Sequence, residues 1–134
     1  MACYLTKDIM LLYTRSYLLV KLTNDDPTVD PHDSSNIDDD VLNEIMESSC
    51  YDVSLYLRGI YYDGEPGDTP TKEIVSLAAR LCKCNLWGRT GQEPTQITEE
   101  RTRIYEHLHE LASKSSDKLR DQTWKSKVSD SNRQ

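Results

Sequence analysis

A chain of 134 residues has room for one domain and one modest core. Its 16 Lys and Arg stand against 23 Asp and Glu, a net charge of −7. That balance argues against a nucleic-acid or anionic-membrane binder, because phosphate-rich surfaces reward Lys and Arg. The aromatic set is eight Tyr, two Trp and no Phe.

Met1 to Leu22 does not read as a signal peptide. Asp8 precedes the apolar run, and Thr14-Arg15-Ser16 interrupts it. The run is too short and polar to span a bilayer, so a soluble, cytoplasmic chain without a membrane anchor is expected. In that compartment the four cysteines, Cys3, Cys50, Cys82 and Cys84, are expected to stay reduced.

In chain order, Thr6 caps a helix carrying Asp8 in its first turn, with Ile9, Leu12, Tyr13, Leu19 and Val20 at helical spacing. Tyr17 to Val20 also fits a buried strand; helix is preferred. Residues 23–35, acidic and broken by Pro27 and Pro31, read as a mobile loop. A calcium loop there would need a central Gly and a closing Glu that the stretch lacks. A second helix starts near Asn36 with Asp38 to Asp40 in its first turn; its stripe is Val41, Leu42, Ile45 and Met46. After Ser48-Ser49, Val53, Tyr56, Leu57, Ile60 and Tyr61 resume helical spacing, although Tyr51, Val53, Leu55 and Leu57 also alternate as a strand would.

Asp63 to Asp68 is a break. Thr69 then caps a helix with Pro70 at its first position, and Ile74, Leu77, Ala78 and Leu81 line one face. Gly88 and Gly91 mark a loop after it. A last helix runs from Thr98 to Ser113 with Ile104, Leu108 and Leu111 inward, and residues 114–124 continue it as a short amphipathic piece. The reading is therefore a single all-α domain over 1–124, a compact bundle of about five or more helices, with a disordered tail at 125–134.

Chemistry-bearing clusters are weak. Cys82 and Cys84 with His107 and His109 supply zinc-ligating atoms, but residues two apart do not share a helix face. Gly88-Arg89-Thr90-Gly91 lacks the ending of a phosphate loop. No cysteine has an obvious catalytic partner. The chain therefore reads as a non-enzyme needing no cofactor. The stripes at 41–46 and 53–61 fit better as the walls of a groove for a partner's amphipathic helix, unless they simply pack together as core.

Three stretches resemble the Bcl-2 (B-cell lymphoma) family of apoptosis regulators. Lys7-Asp8-Ile9-Met10-Leu11-Leu12-Tyr13-Thr14-Arg15-Ser16-Tyr17-Leu18 looks like the family's first helix, followed by an acidic loop. Tyr62-Asp63-Gly64 with Ile74-Val75-Ser76-Leu77-Ala78 looks like the end of helix four and the start of the central helix. Ile104 to Trp124 is similar in spacing to the last helices. The resemblance implies an all-α bundle around a central helix at about 70–82. It implies a soluble inhibitor of apoptosis, such as a virus-encoded survival factor, that sequesters the Bcl-2-homology-3 helix of pro-apoptotic partners. The implied groove has Tyr56 and Ile60 on the helix-four wall, Ser76 on the central helix, and Ile45 and Met46 opposite. Val53 and Leu57 extend its apolar lining. Glu73 stands where the family carries Arg, leaving Lys72 as the nearest cation. A second register, excluded by the first, would set Trp87-Gly88-Arg89 on the family signature; the register with Ile74-Val75 is preferred. The alternatives are a small helical scaffold or homodimer without a groove and, further off, a zinc-binding domain.

Overall fold

The computed structural model describes residues 3–57 and 71–130, with side chains through Ser113. Five α-helices and no strand occur among the described residues: α1 (Lys7–Tyr13), α2 (Ser16–Thr23), α3 (Asp39–Leu57), α4 (Lys72–Thr90) and α5 (Thr95–Asp130). They pack against one another as an all-α bundle.

Thr6 caps α1 as expected, its hydroxyl accepting from Ile9 N at 3.2 Å. The apolar run from Ile9 to Val20 is two helices rather than one. Met10 and Leu19, nine positions apart, would lie on opposite sides of a continuous helix, about 180° from each other at 3.6 residues per turn. Extended backbone at Thr14 and Arg15 turns the chain, so that Met10 and Leu19 both reach the core, each 0% exposed. The strand alternative at 17–20 does not form.

The acidic stretch between α2 and α3 is a folded loop stabilised by its own side chains. Asp26, Asp30 and Asp33 each accept from the backbone N–H two residues on, a succession of Asx turns. Asn24 Nδ2 donates to the Asn36 carbonyl, and Asn36 Nδ2 to the Asp30 carbonyl, closing the loop on itself. Thr23 Oγ1, buried, donates to the Leu19 carbonyl and accepts from Asp38 N. One 3-10 turn spans Ser34–Asn36.

Asp38 Oδ1 then accepts from Val41 N and starts α3, with Asp39 and Asp40 in the first turn. The interruption expected at Ser48-Ser49 is absent. Both hydroxyls donate to the Ile45 carbonyl, at 3.1 and 2.8 Å, so the pair sits mid-helix with its polar groups satisfied. The strand alternative at 51–57 is overturned: those residues are the last two turns of α3.

Thr71 caps α4, its hydroxyl accepting from Ile74 N. The expected cap at Thr69 and first position at Pro70 lie outside the described residues. The helix runs two turns beyond Cys82 and includes Gly88, which had been expected in a loop. It stops at Gly91, whose φ of 75° is the left-handed conformation that favours glycine and whose N–H bonds the Gly88 carbonyl. Ile74, Leu77, Ala78, Ala79, Leu81, Cys82, Cys84 and Leu86 are all buried, and α4 touches α1, α2, α3 and α5. A helix apolar on most sides belongs at the centre of a bundle.

Thr95 opens α5 after Pro94, whose carbonyl accepts from Ile97 N and Thr98 N. Ile97, Ile104 and Leu108 are buried, and Leu111 packs at the core's edge. The backbone stays helical to Asp130, through part of the stretch expected to be disordered; residues 131–134 lie outside the described residues. Arg101 ties α5 to α4: it pairs with Glu93 at 2.6 Å and donates to the Cys84 carbonyl at 2.6 Å. That guanidinium holds the Glu93 carboxyl below its ordinary value.

The expectation of four reduced thiols is corrected. Cys3 and Cys50 form a disulfide, their Cα atoms 5.6 Å apart, across 47 residues of sequence. Packing of the segment before α1 onto α3 is what brings the two together. Cys82 and Cys84 are free and buried.

Candidate functional site

The groove residues named from the sequence divide by burial. Met46, Val53 and Leu57 lie in the interior, no more than 4% exposed, in the stripe by which α3 packs on the bundle. Ile45 and Ser76 are half-buried, and Ile45 packs on the core's margin. Lys72 is exposed in the first turn of α4. Ile60 lies outside the described residues. For Met46, Val53 and Leu57 the stripe is core, because all three belong to the buried cluster that α3 shares with α4.

Tyr56 is different. It faces outward, and its ring meets Tyr105 of α5 at 5.8 Å between centroids. Tyr105 Oη reaches Asp52 Oδ2 at 3.5 Å, and burial, then the nearby Asp52 charge, pushes its phenol up. Further round the same helix Tyr51 and Leu55 are one helical turn apart and 55% and 51% exposed. Glu47 and Glu44, also exposed, lie one and two turns before Tyr51 on the same side of α3. The result is an apolar face on α3 with an acidic approach. Sequence reading missed Tyr51 and Leu55 as surface residues because their alternation with Val53 and Leu57 left a strand open beside the helix. Their i, i+4 spacing, opposite the buried stripe, was the available signal.

A second exposed group lies on α1 and α2: Leu11, Leu12, Tyr13 and Tyr17, with Leu12 81% exposed. Tyr17 is partly occupied. His32 of the acidic loop packs against its ring at 4.8 Å, and Lys21 Nζ sits 5.0 Å from the ring centre.

One cleft of about 600 Å³ opens between the end of α2, the acidic loop and the end of α4. Val20, Val29, Pro27 and Pro31 supply its apolar lining, and Lys21, Asp25, Asp26 and Arg89 its charge. Arg89 is committed there: it pairs with both carboxylate oxygens of Asp25 and donates to the Leu22 carbonyl.

The zinc alternative finds no geometry. Among the described residues no group of three or more His, Cys, Asp or Glu side chains could hold a metal ion. Burial raises the Cys82 thiol to about 12 and the Cys84 thiol to about 11. His107 faces Glu73 at 2.9 Å instead. Among the described residues no helix is long and apolar enough to cross a membrane.

Comparison of the chain with protein-family models, with characterised proteins and with solved structures returned no significant match. The fold and its surfaces therefore define the class, an all-α bundle with an exposed apolar face.

Proposed function

We propose that the chain is a non-enzymatic interaction module that holds an amphipathic helix of a partner protein. In the terms of the Bcl-2 resemblance, it is an inhibitor of apoptosis that sequesters the Bcl-2-homology-3 helix of pro-death partners. The observation that carries the reading is the pair Tyr51 and Leu55, half-exposed at one-turn spacing on α3. Aromatic and aliphatic side chains at this spacing match the i, i+4 anchors of a docked helix. The contact surface is this outward face, since Met46, Val53 and Leu57 are committed to the interior. Glu44 and Glu47 favour a helix whose apolar stripe is flanked by Lys or Arg.

A panel of labelled Bcl-2-homology-3 peptides, titrated with the full chain by fluorescence anisotropy, tests it. At least one peptide binds, and Leu55→Asp weakens it about tenfold or more, the loss of one buried anchor. Failure of every peptide to bind removes the reading.

A further inference from the structure

The Cys3–Cys50 bridge joins two sulfurs in unequal surroundings. Cys3 is partly exposed in the extended segment before α1, while Cys50 is 2% exposed in the middle of α3. The segment lies across α3: Cys3 Sγ is 3.4 Å from the Met46 carbonyl oxygen, and Leu5 is buried. Met46 and Cys50 are one helical turn apart, so the segment covers one strip of that helix. Two further thiols lie in the interior on α4, Cys82 and Cys84.

We propose that Cys3 is a thiol-modification site and that the Cys3–Cys50 bridge is a reversible clamp, opened by low-molecular-weight thiols of the glutathione class, whose opening uncovers Cys50. The chemistry closes without another reagent. A thiolate attacks Cys3 Sγ, on the more exposed of the two residues, forms a mixed disulfide there and releases Cys50, which takes a proton. A second thiol attacks the sulfur that the first one contributed, and Cys3 leaves and is protonated. Two small thiols have become one small disulfide, and the two electrons have reduced the protein bridge. The small disulfide drives the reverse.

The other two cysteines stand aside for physical reasons. Exchange requires a thiolate, and burial keeps Cys82 and Cys84 protonated at neutral pH. Cys82 therefore coexists with a disulfide on the neighbouring helix without attacking it. The clamp also crosses elements that are otherwise complete. Thr6 caps α1 and the α3 ladder continues past Cys50, so cutting the bridge leaves both helices intact.

The test uses the full chain in glutathione buffers of graded redox ratio, pulsed with iodoacetamide under native conditions and mapped by mass spectrometry. In oxidised buffer neither Cys3 nor Cys50 is labelled. In reduced buffer both are labelled, and Cys50 reacts at least about a hundredfold faster than Cys82, as an exposed thiol does beside a buried one. In Cys50→Ser, glutathione disulfide adds one adduct, at Cys3. The proposal is overturned if the oxidised chain contains no Cys3–Cys50 bridge. It is also overturned if reduced Cys50 stays as protected as Cys82, because the segment then remains docked without the bond. An adduct on Cys82 or Cys84 overturns the selectivity. Alkylation is read without any peptide, so its outcome is independent of the helix-binding reading.

Discussion

Arg89 holds Asp25 through two hydrogen bonds, 3.1 and 2.7 Å, between residues 64 positions apart. The same guanidinium donates to the Leu22 carbonyl at the end of α2. One side chain on the last turn of α4 thus fixes both the exit from α2 and the start of the acidic loop. A planar fork suits this, because it engages a carboxylate with two donors in fixed geometry. Arg89→Ala should leave the helices in place and loosen the loop. Amide exchange across residues 24–38 is expected to accelerate selectively, while the amides of α4 and of α5 near Ile104 keep their protection. Unchanged exchange in the loop would mean that its Asx turns suffice without Arg89.

The same pair sets a pH dependence. The Arg89 hydrogen bond, then its charge, holds the Asp25 carboxyl below its ordinary 3.8. Asp26 and Asp33 are lowered too, by the hydroxyl and then the N–H of Thr28 and of Ser35. A depressed carboxyl contributes stability that is fully present above its unfolded value and lost as pH falls through the folded one. The loop's contribution is therefore flat from neutrality to about pH 4 and disappears below that. Loop amide exchange, corrected for intrinsic rates, should follow this profile. In Arg89→Ala the acid transition should move upward, toward the ordinary carboxylate range. A transition centred well above the carboxylate range would show that these carboxylates are not its source.

The two glycines at the end of α4 carry opposite expectations. Gly91 is left-handed with no heavy atom within 4 Å of an added Cβ, so Gly91→Ala pays only the conformational cost, about 1 kcal/mol. Gly88 is helical, and an added Cβ would stand 3.0 Å from Arg101 Nη2 and 3.3 Å from Glu93 Oε1. Both atoms end flexible side chains, and alanine favours helix by about 1 kcal/mol over glycine. Gly88→Ala should therefore stay within about 0.5 kcal/mol of the parent, the helix gain offsetting the displaced ion pair. Urea unfolding of the two variants decides it; equal losses would show that Gly88 is required for packing.

Helix existence was legible in the sequence, whereas boundaries and facing were not. Thr6 and Asp8, or Ile74 and Leu77, work through local spacing, and locally driven features survive in the structure. The division of α1 from α2 depends on where the core lies, which Met10 and Leu19 reveal only once it exists. Ser48-Ser49 and Gly88 look like breaks because of their intrinsic preferences, yet α3 and α4 absorb them through bonds to Ile45 and through tertiary packing. The candidate surface was half-read. The stripe of α3 was found, but periodicity alone does not say whether a stripe faces a groove or another helix. The Cys3–Cys50 pairing depends wholly on tertiary closure, so spacing held no signal for it.

The two faces of α3 give the sharpest separation of stability from binding. Val53 is 0% exposed, and truncating a buried aliphatic leaves a cavity in a close-packed interior. Val53→Ala should cost about 1–3 kcal/mol, somewhat below the range for larger aliphatics. Leu55 is 51% exposed, so Leu55→Ala should change stability by no more than about 0.5 kcal/mol. Leu57→Asp, which would serve as a surface probe if its stripe were open, should instead unfold the chain, because it buries an unpaired carboxylate where Leu57 is 0% exposed. Thermal melts of these variants, paired with the peptide titration, separate the roles. Val53→Ala should lower the melting temperature and keep peptide affinity at temperatures where it is folded. Leu55→Asp should keep the melting temperature within a few degrees, about 2–4, and lose the peptide. If Leu55→Asp kept full affinity while Lys72→Glu lost it, the docked helix would lie against the start of α4, and the outward face of α3 would be surface alone.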